Sequence, residues 1–134
     1  MNMLSAELNS RILKLAPKHS VSDHAPCSMV TLADSRTSGL VVWSGASDST
    51  IYGDSAINWA FRAWHDSLHL ALNADFSMQG EKLVALEQCR LIGSDAMAKI
   101  IMGEVVGQVE YLNKYGHFPT DQFVFMRNYL KGII

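Results

Sequence analysis

The sequence is poor in the features that identify several common classes of protein. It has two cysteines in 134 residues, Cys27 and Cys89, which are too few and too far apart for a disulfide framework or a zinc ribbon. The net charge of -2 gives no broad attraction to nucleic acid or to anionic lipid. No apolar run is long enough to cross a bilayer, and the N-terminal stretch lacks the basic segment of a signal peptide. We therefore expect a cytoplasmic protein with no nucleic-acid partner and no membrane span.

Motifs that bind nucleotides or form acyl intermediates are also missing. The chain has no P-loop, no dinucleotide-binding fingerprint and no nucleophile elbow. Hydrophobic residues make up 49% of the chain and charged residues 18%, which is the composition of a folded protein that can bury a core. The length predicts one domain over residues 1–134 and leaves the oligomeric state open.

The order of local patterns predicts a mainly α protein. Helical periodicity and helix-end signals favour five helices, at residues 3–15, 55–73, 81–92, 95–115 and 120–131. Between the first two, the short β-branched runs 28–34 and 39–43 can pair as a β-hairpin. We expect a small helical bundle with this hairpin as its minor β component. Residues 1–54 then hold one helix and the hairpin segment, and residues 55–134 form a four-helix metal-binding core.

Two histidines lie four residues apart in the helix predicted over residues 55–73. His65 and His69 therefore project from successive turns at the edge of the apolar face, as two imidazoles must if both are to reach one cation. Glu81 follows His69 at a distance of twelve residues. Two imidazoles and a carboxylate are typical ligands of catalytic zinc and of ferrous iron. We predict that His65, His69 and Glu81 bind a divalent metal, with zinc preferred to iron.

A carboxylate also lies where the helix predicted over residues 95–115 should be apolar. Glu104 falls at the centre of the apolar arc, beside Gln108 and Tyr111. Burying a carboxylate is costly unless a cation or several donors meet it. We predict that Glu104 joins the metal site as a catalytic base, with Asp66 as the other candidate, and that Arg62, Gln108 and Tyr111 orient a substrate. A purely structural pairing of Glu104 with Arg62 or with a tyrosine is the alternative.

The segment His65-Asp66-x-x-His69, followed by eleven residues and Glu81, resembles the HDxxH-x11-E zinc motif of the coenzyme Q biosynthesis scaffold family. The match includes a glycine, Gly80, before the glutamate, and it covers about 17 of the 134 residues. The resemblance implies a helical fold, zinc bound by the matched residues, and a role in processing ubiquinone precursors. The stem RAWHD with the downstream FPTDQF is also similar to small uncharacterised proteins encoded by bacteriophages.

Two other functions stay open beside a His/His/Glu enzyme. The ligand order of the HD phosphohydrolases can be fitted to His24, His65-Asp66 and either Asp95 or Asp121. That fit leaves the second histidine of the pair and Glu81 unexplained. Alternatively, the metal stabilises a non-enzymatic adaptor or inhibitor of the phage type that acts on a protein partner. If the protein is an enzyme, metal-activated water favours a hydrolase or lyase that acts on a small molecule.

Overall fold

Helices form most of the computed structural model, which describes residues 3–24, 40–45, 47 and 50–132. The elements in chain order are α1 Ala6–Leu15, β1 His19–Ser22, β2 Leu40–Trp43, α2 Ser55–Leu72, α3 Met78–Ile92, α4 Asp95–Met102, α5 Gln108–Tyr115 and α6 Gln122–Leu130. The prediction of a mainly α protein with a minor β component is confirmed. Within these ranges, no helix combines the length and the apolar character needed to cross a bilayer.

The helix ends follow local capping chemistry. The Asp54 carboxylate accepts an amide of the first turn of α2, and the Ser94 hydroxyl accepts one in the first turn of α4. Gly93 ends α3 in the left-handed conformation, with φ of 70°. The Asp121 carboxylate accepts the first-turn amide of α6, so this helix begins slightly later than the predicted residue 120.

The β component is a two-stranded parallel sheet. β1 pairs with β2 in a register that runs from His19 opposite Leu40 to Ser22 opposite Trp43. The strand predicted at residues 39–43 is therefore present, and its partner is a segment for which no strand was predicted. The other predicted strand, 28–34, lies outside the described residues.

The central element of the core is α2. It packs against α1, α3 and β2, and it buries Phe61 and Trp64 in a cluster that also contains Ile101 and Met126. Each such side chain contributes about 1.5–3 kcal/mol relative to its exposed state. Because the apolar face of α2 is used in this way, its polar stripe borders the core and faces α3 and the turn that follows α4.

The helix predicted over residues 95–115 is interrupted at its middle by a π-helical turn, Gly103–Gly107. A side chain at Gly103 would lie 2.8 Å from the side chains of Met126 and Tyr129, so the glycine allows α6 to pack directly on this turn. A π turn contains an extra residue and rotates the following helix relative to the preceding one, and such turns occur frequently at functional sites. The turn carries Glu104 and ends just before Gln108.

Candidate metal centre

Three side chains from two helices meet beside the core. His65 and His69 come from α2, and Glu81 comes from the first turn of α3. His65 Nε2 lies 2.8 Å from Glu81 Oε2, His69 Nε2 lies 3.3 Å from the same oxygen, and the two Nε2 atoms are 3.1 Å apart. Among the described residues, these three form the one group of His, Cys, Asp and Glu side chains whose ligand atoms converge closely enough for a metal ion. The structure thus contains a possible His/His/Glu metal site.

The hydrogen bonds on the far side of each imidazole fix which nitrogen faces the cluster. His69 Nδ1 lies 2.9 Å from the carbonyl oxygen of Ala74, and His65 Nδ1 lies 2.8 Å from Oε1 of Gln88. Because these oxygens only accept, each Nδ1 carries the hydrogen, and the lone pair of the neutral ring is on Nε2. Partners of this kind orient the histidine ligands of metal sites and fix their tautomer.

The spacing of the three facing atoms fits a small cation. Two imidazole lone pairs and a carboxylate oxygen repel one another unless a proton or a metal ion lies among them. Zinc bonds of 2.0–2.1 Å at tetrahedral angles separate neighbouring ligand atoms by about 3.3 Å. The observed separations of 2.8, 3.1 and 3.3 Å come close to that value. The donor set and the spacing of its atoms are therefore compatible with a small divalent cation.

Protons can take the place of a cation among these three atoms, and the pKa values of Glu81 and His69 shift in the directions that this requires. Burial alone would raise the pKa of Glu81, but hydrogen bonds from His65 and His69 outweigh it and lower this pKa to about 2. Burial alone would lower the pKa of His69, yet its bonds to Glu81 and to the Ala74 carbonyl raise it. The side chain of His69 is fully buried, and those of His65 and Glu81 are 14% and 16% exposed. The cluster therefore favours positive charge at its centre.

The turn between α2 and α3 holds His69 in place. Asn73 ends α2 in the left-handed conformation, and Ala74 both donates its amide to the His69 carbonyl and accepts the His69 ring hydrogen. The turn then passes so close to α3 that a side chain at Gly80 would lie 1.9 Å from the carbonyl oxygen of Asp75. Only glycine permits this approach, so the residue before Glu81 helps to set the distance between the two ligand-bearing helices.

A cavity of about 480 Å³ opens beside the cluster, and His65 and Glu81 form part of its wall. Three of the predicted functional residues, Arg62, Glu104 and Gln108, also line it. Its size lies within the range of about 300–1,000 Å³ that is usual for small-molecule sites. A ligand in this cavity would therefore reach the cluster from the side of His65 and Glu81.

Glu104 is a carboxyl group in an environment that favours its neutral form. Burial raises its pKa to about 7, against the opposing effects of a hydrogen bond with Gln108, the charge of Arg62 and the Tyr52 hydroxyl. The hydroxyl of Tyr52 is itself buried, and burial followed by the charge of Glu104 raises the pKa of Tyr52 well above its ordinary value. Glu104 thus exchanges a proton near neutral pH, as a general acid or base must.

Arg62 lines the cavity together with the two glutamates. Its guanidinium donates a 2.6 Å hydrogen bond to the Trp43 carbonyl and lies 5.1 Å from the centre of the Trp43 ring. Asp66 is one turn further along α2, and burial raises its pKa while the charges of His65, His69 and Arg62 oppose that rise. Asp66 contributes no atom to the cluster of ligand atoms. It lies close enough to act on Arg62 and on the imidazoles through its charge.

Other residues singled out in the sequence lie elsewhere. Tyr111 is not among the residues that line the cavity; its ring packs against Tyr115, His117 and Phe125. Apart from His65 and its neighbour Asp66, the positions considered for an HD phosphohydrolase do not lie at the cluster. The side chain of His24 is 93% exposed beside Asp23, Asp121 caps α6, and Asp95 is exposed in the first turn of α4.

Sequence reasoning missed several groups at the site. Gln88 lies seven residues after Glu81, on the same face of α3, and that spacing could have identified it as a partner of the histidines. The Ala74 carbonyl and the Tyr52 hydroxyl belong to connecting segments, where no periodic signal exists. Comparison with known proteins finds no matching family model, no similar curated protein and no similar solved structure.

Proposed function

We propose that this protein is a metal-dependent hydrolase in which His65, His69 and Glu81 bind zinc. The observation that carries the proposal is the convergence of two imidazole nitrogens and one carboxylate oxygen. Hydrogen bonds to the other nitrogen of each imidazole hold the two rings in place. When bound by three protein ligands, zinc lowers the pKa of water in its open position to about 7. The resemblance to the zinc motif of the coenzyme Q biosynthesis scaffold family supports the choice of zinc over iron.

The residues of the cavity supply the other roles of such an enzyme. Glu104 holds or releases a proton near neutral pH, because its pKa is about 7. Gln108 and Arg62 line the same cavity and orient the substrate. Asp66 stabilises the positive charge of Arg62 and of the imidazoles and acts as a positioning residue.

Two features favour catalysis over a purely structural metal. Structural zinc sites are usually closed by four protein ligands, whereas three converge here among the described residues. The site also borders a cavity that holds a second titratable group. An adaptor with a structural metal is the remaining candidate, since 13 large apolar side chains in the described part of the chain are well exposed and offer area for a protein partner.

Metal analysis of protein purified without chelators tests the proposal directly. We expect about one zinc per chain in the natural protein and less than about a tenth of that in His69→Ala. Since His69 is fully buried, Glu81→Gln provides a second variant whose fold is easier to preserve. His24→Ala is the matched control, because that imidazole is exposed and outside the cluster. Equal zinc contents in all four proteins, or no zinc in the natural one, would overturn the proposal.

Removal of zinc distinguishes catalysis from a structural role. We expect the chelated protein to keep its helical circular dichroism, because the main apolar core joins α1, α2, α3, α4 and the π-helical turn without using any of the three ligands. Hydrolysis of chromogenic ester, amide and phosphodiester substrates should then depend on added zinc. Unfolding on chelation, with no hydrolysis by the loaded protein, would favour the adaptor instead.

A further inference from the structure

Four of the eight polar residues that line the cavity have neutral side chains. They are Asn58, Gln108, Thr120 and Gln122, and three of these four carry carboxamides, of which that of Asn58 also donates to Ser47 Oγ. A carboxamide presents a donor and an acceptor side by side, and it pairs bidentately with ring systems that present the complementary pair. Gln108 is 8% exposed, so its amide is already largely removed from bulk water. Such a wall selects ligands by the pattern of their hydrogen bonds.

The charges around the cavity leave no surplus for an ionic ligand. Three carboxyl groups, those of Asp66, Glu81 and Glu104, interact with the guanidinium of Arg62 or with the histidine pair. When Glu104 is ionised, as it is above pH 7, one divalent ion and Arg62 together balance the three carboxylates. Arg62 is moreover already engaged with the carbonyl and the ring of Trp43. A carboxylate or phosphate would have to displace these interactions before it was compensated.

The remaining walls are flat and apolar. Trp43, Phe61 and Phe118 contribute aromatic rings, and Val105 and Val109 complete the apolar surface. Trp43 is 40% exposed and Phe118 is 52% exposed, so both are accessible from solvent. Aromatic rings gain from contact with other planar rings through offset or edge-to-face arrangements.

We propose that the cavity binds a neutral, planar heterocycle with an amide edge, the chemistry of a nucleobase. Carboxamides recognise the edge, the aromatic walls contact the ring, and the balanced charges disfavour anions. The inference rests on the proposed function, because the zinc ligands His65 and Glu81 form part of the same wall. It adds the class of ligand, and it names Gln108 as a residue that determines specificity.

Calorimetric titration of the zinc-loaded protein with three small probes tests the inference. We expect uracil to bind, 1,3-dimethyluracil to bind at least about tenfold more weakly because it has lost its ring N–H donors, and benzoate not to bind. Gln108→Met should weaken uracil binding by about tenfold or more. Gln79→Met is the matched control, since Gln79 is exposed on α3 and outside the cavity.

The possible outcomes separate this inference from the proposed function. Benzoate binding more tightly than uracil, equal binding of the two uracils, or no uracil binding by protein that contains zinc would overturn the inference alone. Zinc content is measured on the same samples, so protein without zinc overturns the proposed function. In that case, uracil binding that is weakened by Gln108→Met and not by Gln79→Met would still support the amide-recognising cavity. If protein without zinc also fails to bind uracil, both the proposed function and this inference are overturned.

Discussion

Glu81 and Glu104 line the same cavity, yet the first has a pKa of about 2 and the second a pKa of about 7. Burial raises the pKa of both carboxyl groups, and the partners of each group decide whether that rise is overcome. Hydrogen bonds from His65 and His69, together with the charges of these imidazoles, outweigh burial and lower the pKa of Glu81. At Glu104, Gln108 opposes the rise most, followed by Arg62 and then Tyr52, and together they do not outweigh burial. Two glutamates at one site are thereby prepared for opposite tasks.

The two pKa values suit Glu81 to contact with a cation and Glu104 to exchange of a proton. A carboxylate that stays ionised among imidazoles is suited to bind a metal, whereas a carboxyl group that titrates near pH 7 is suited to transfer a proton. Replacing each glutamate in turn by glutamine should give two variants with different properties. Variants that behave alike would contradict the distinction between a metal ligand and a proton-transferring group.

The largest expected difference is in metal affinity. Glu81→Gln replaces a charged ligand by a neutral amide, and we expect the zinc dissociation constant to rise by about 1000-fold, or about 4 kcal/mol. Glu104→Gln should change it by less than about tenfold, because Glu104 is not one of the converging ligands. Competition with a chromophoric chelator measures both constants. Similar losses in the two variants would place Glu104 among the ligands.

The second difference is in the pH dependence of stability. The pKa of Glu104 in the folded protein, about 7, lies above its ordinary value of 4.5, so the folded state holds this proton more tightly than the unfolded state. The resulting stability is fully present below pH 4.5 and is lost as the pH rises through 7. Glutamine cannot ionise. We therefore expect Glu104→Gln to gain up to about 3 kcal/mol relative to the natural protein between pH 4 and pH 8.

Urea unfolding of the metal-free proteins at the two pH values measures this gain. Glu110→Gln serves as the control, because Glu110 is exposed on the following helix. A gain at pH 8 that is no larger than the gain at pH 4 would contradict the assignment of Glu104 as the proton-exchanging group. A similar gain in the control would trace the effect to net charge instead.

The cluster of His65, His69 and Glu81 could be predicted from the sequence because it depends on local geometry. The spacing of His65 and His69 places both imidazoles on one face of any helix, and the gap from His69 to Glu81 matches the zinc motif that the sequence resembles. The mainly α fold followed from the same periodicity. These predictions needed no knowledge of how distant segments pack.

The surroundings of Glu104 depend on packing between distant segments, which the sequence does not reveal. If residues 103–107 were α-helical, with 100° per residue, Tyr111 would lie on the same face as Glu104. The π-helical turn instead rotates the second half of the helix. The ring of Tyr111 therefore packs against Tyr115, His117 and Phe125. The parallel pairing of β1 with β2 is likewise a contact between separated segments. Tyr52 reaches Glu104 from a connecting segment.

The smallest expected effect concerns Gln88, which holds the ring of His65. Its side chain is fully buried, and its Oε1 accepts the His65 Nδ1 hydrogen. Gln88→Leu leaves that hydrogen without a partner and lets the imidazole rotate, so we expect zinc affinity to fall by about tenfold, or about 1.4 kcal/mol. Gln79→Leu, on the exposed face of the same helix, should leave the affinity unchanged.

Gln88→Glu distinguishes orientation of the ring from mere filling of the core. A carboxylate accepts the same hydrogen and makes the imidazole a stronger ligand, so zinc affinity should return to the natural value or exceed it. A packing role predicts the opposite order, because leucine preserves an apolar core and a buried charge disrupts it. If Gln88→Leu binds zinc as well as the natural protein while Gln88→Glu binds it poorly, Gln88 is a packing residue, and the orientation of His65 must come from Glu81 and from the stacked ring of Phe61.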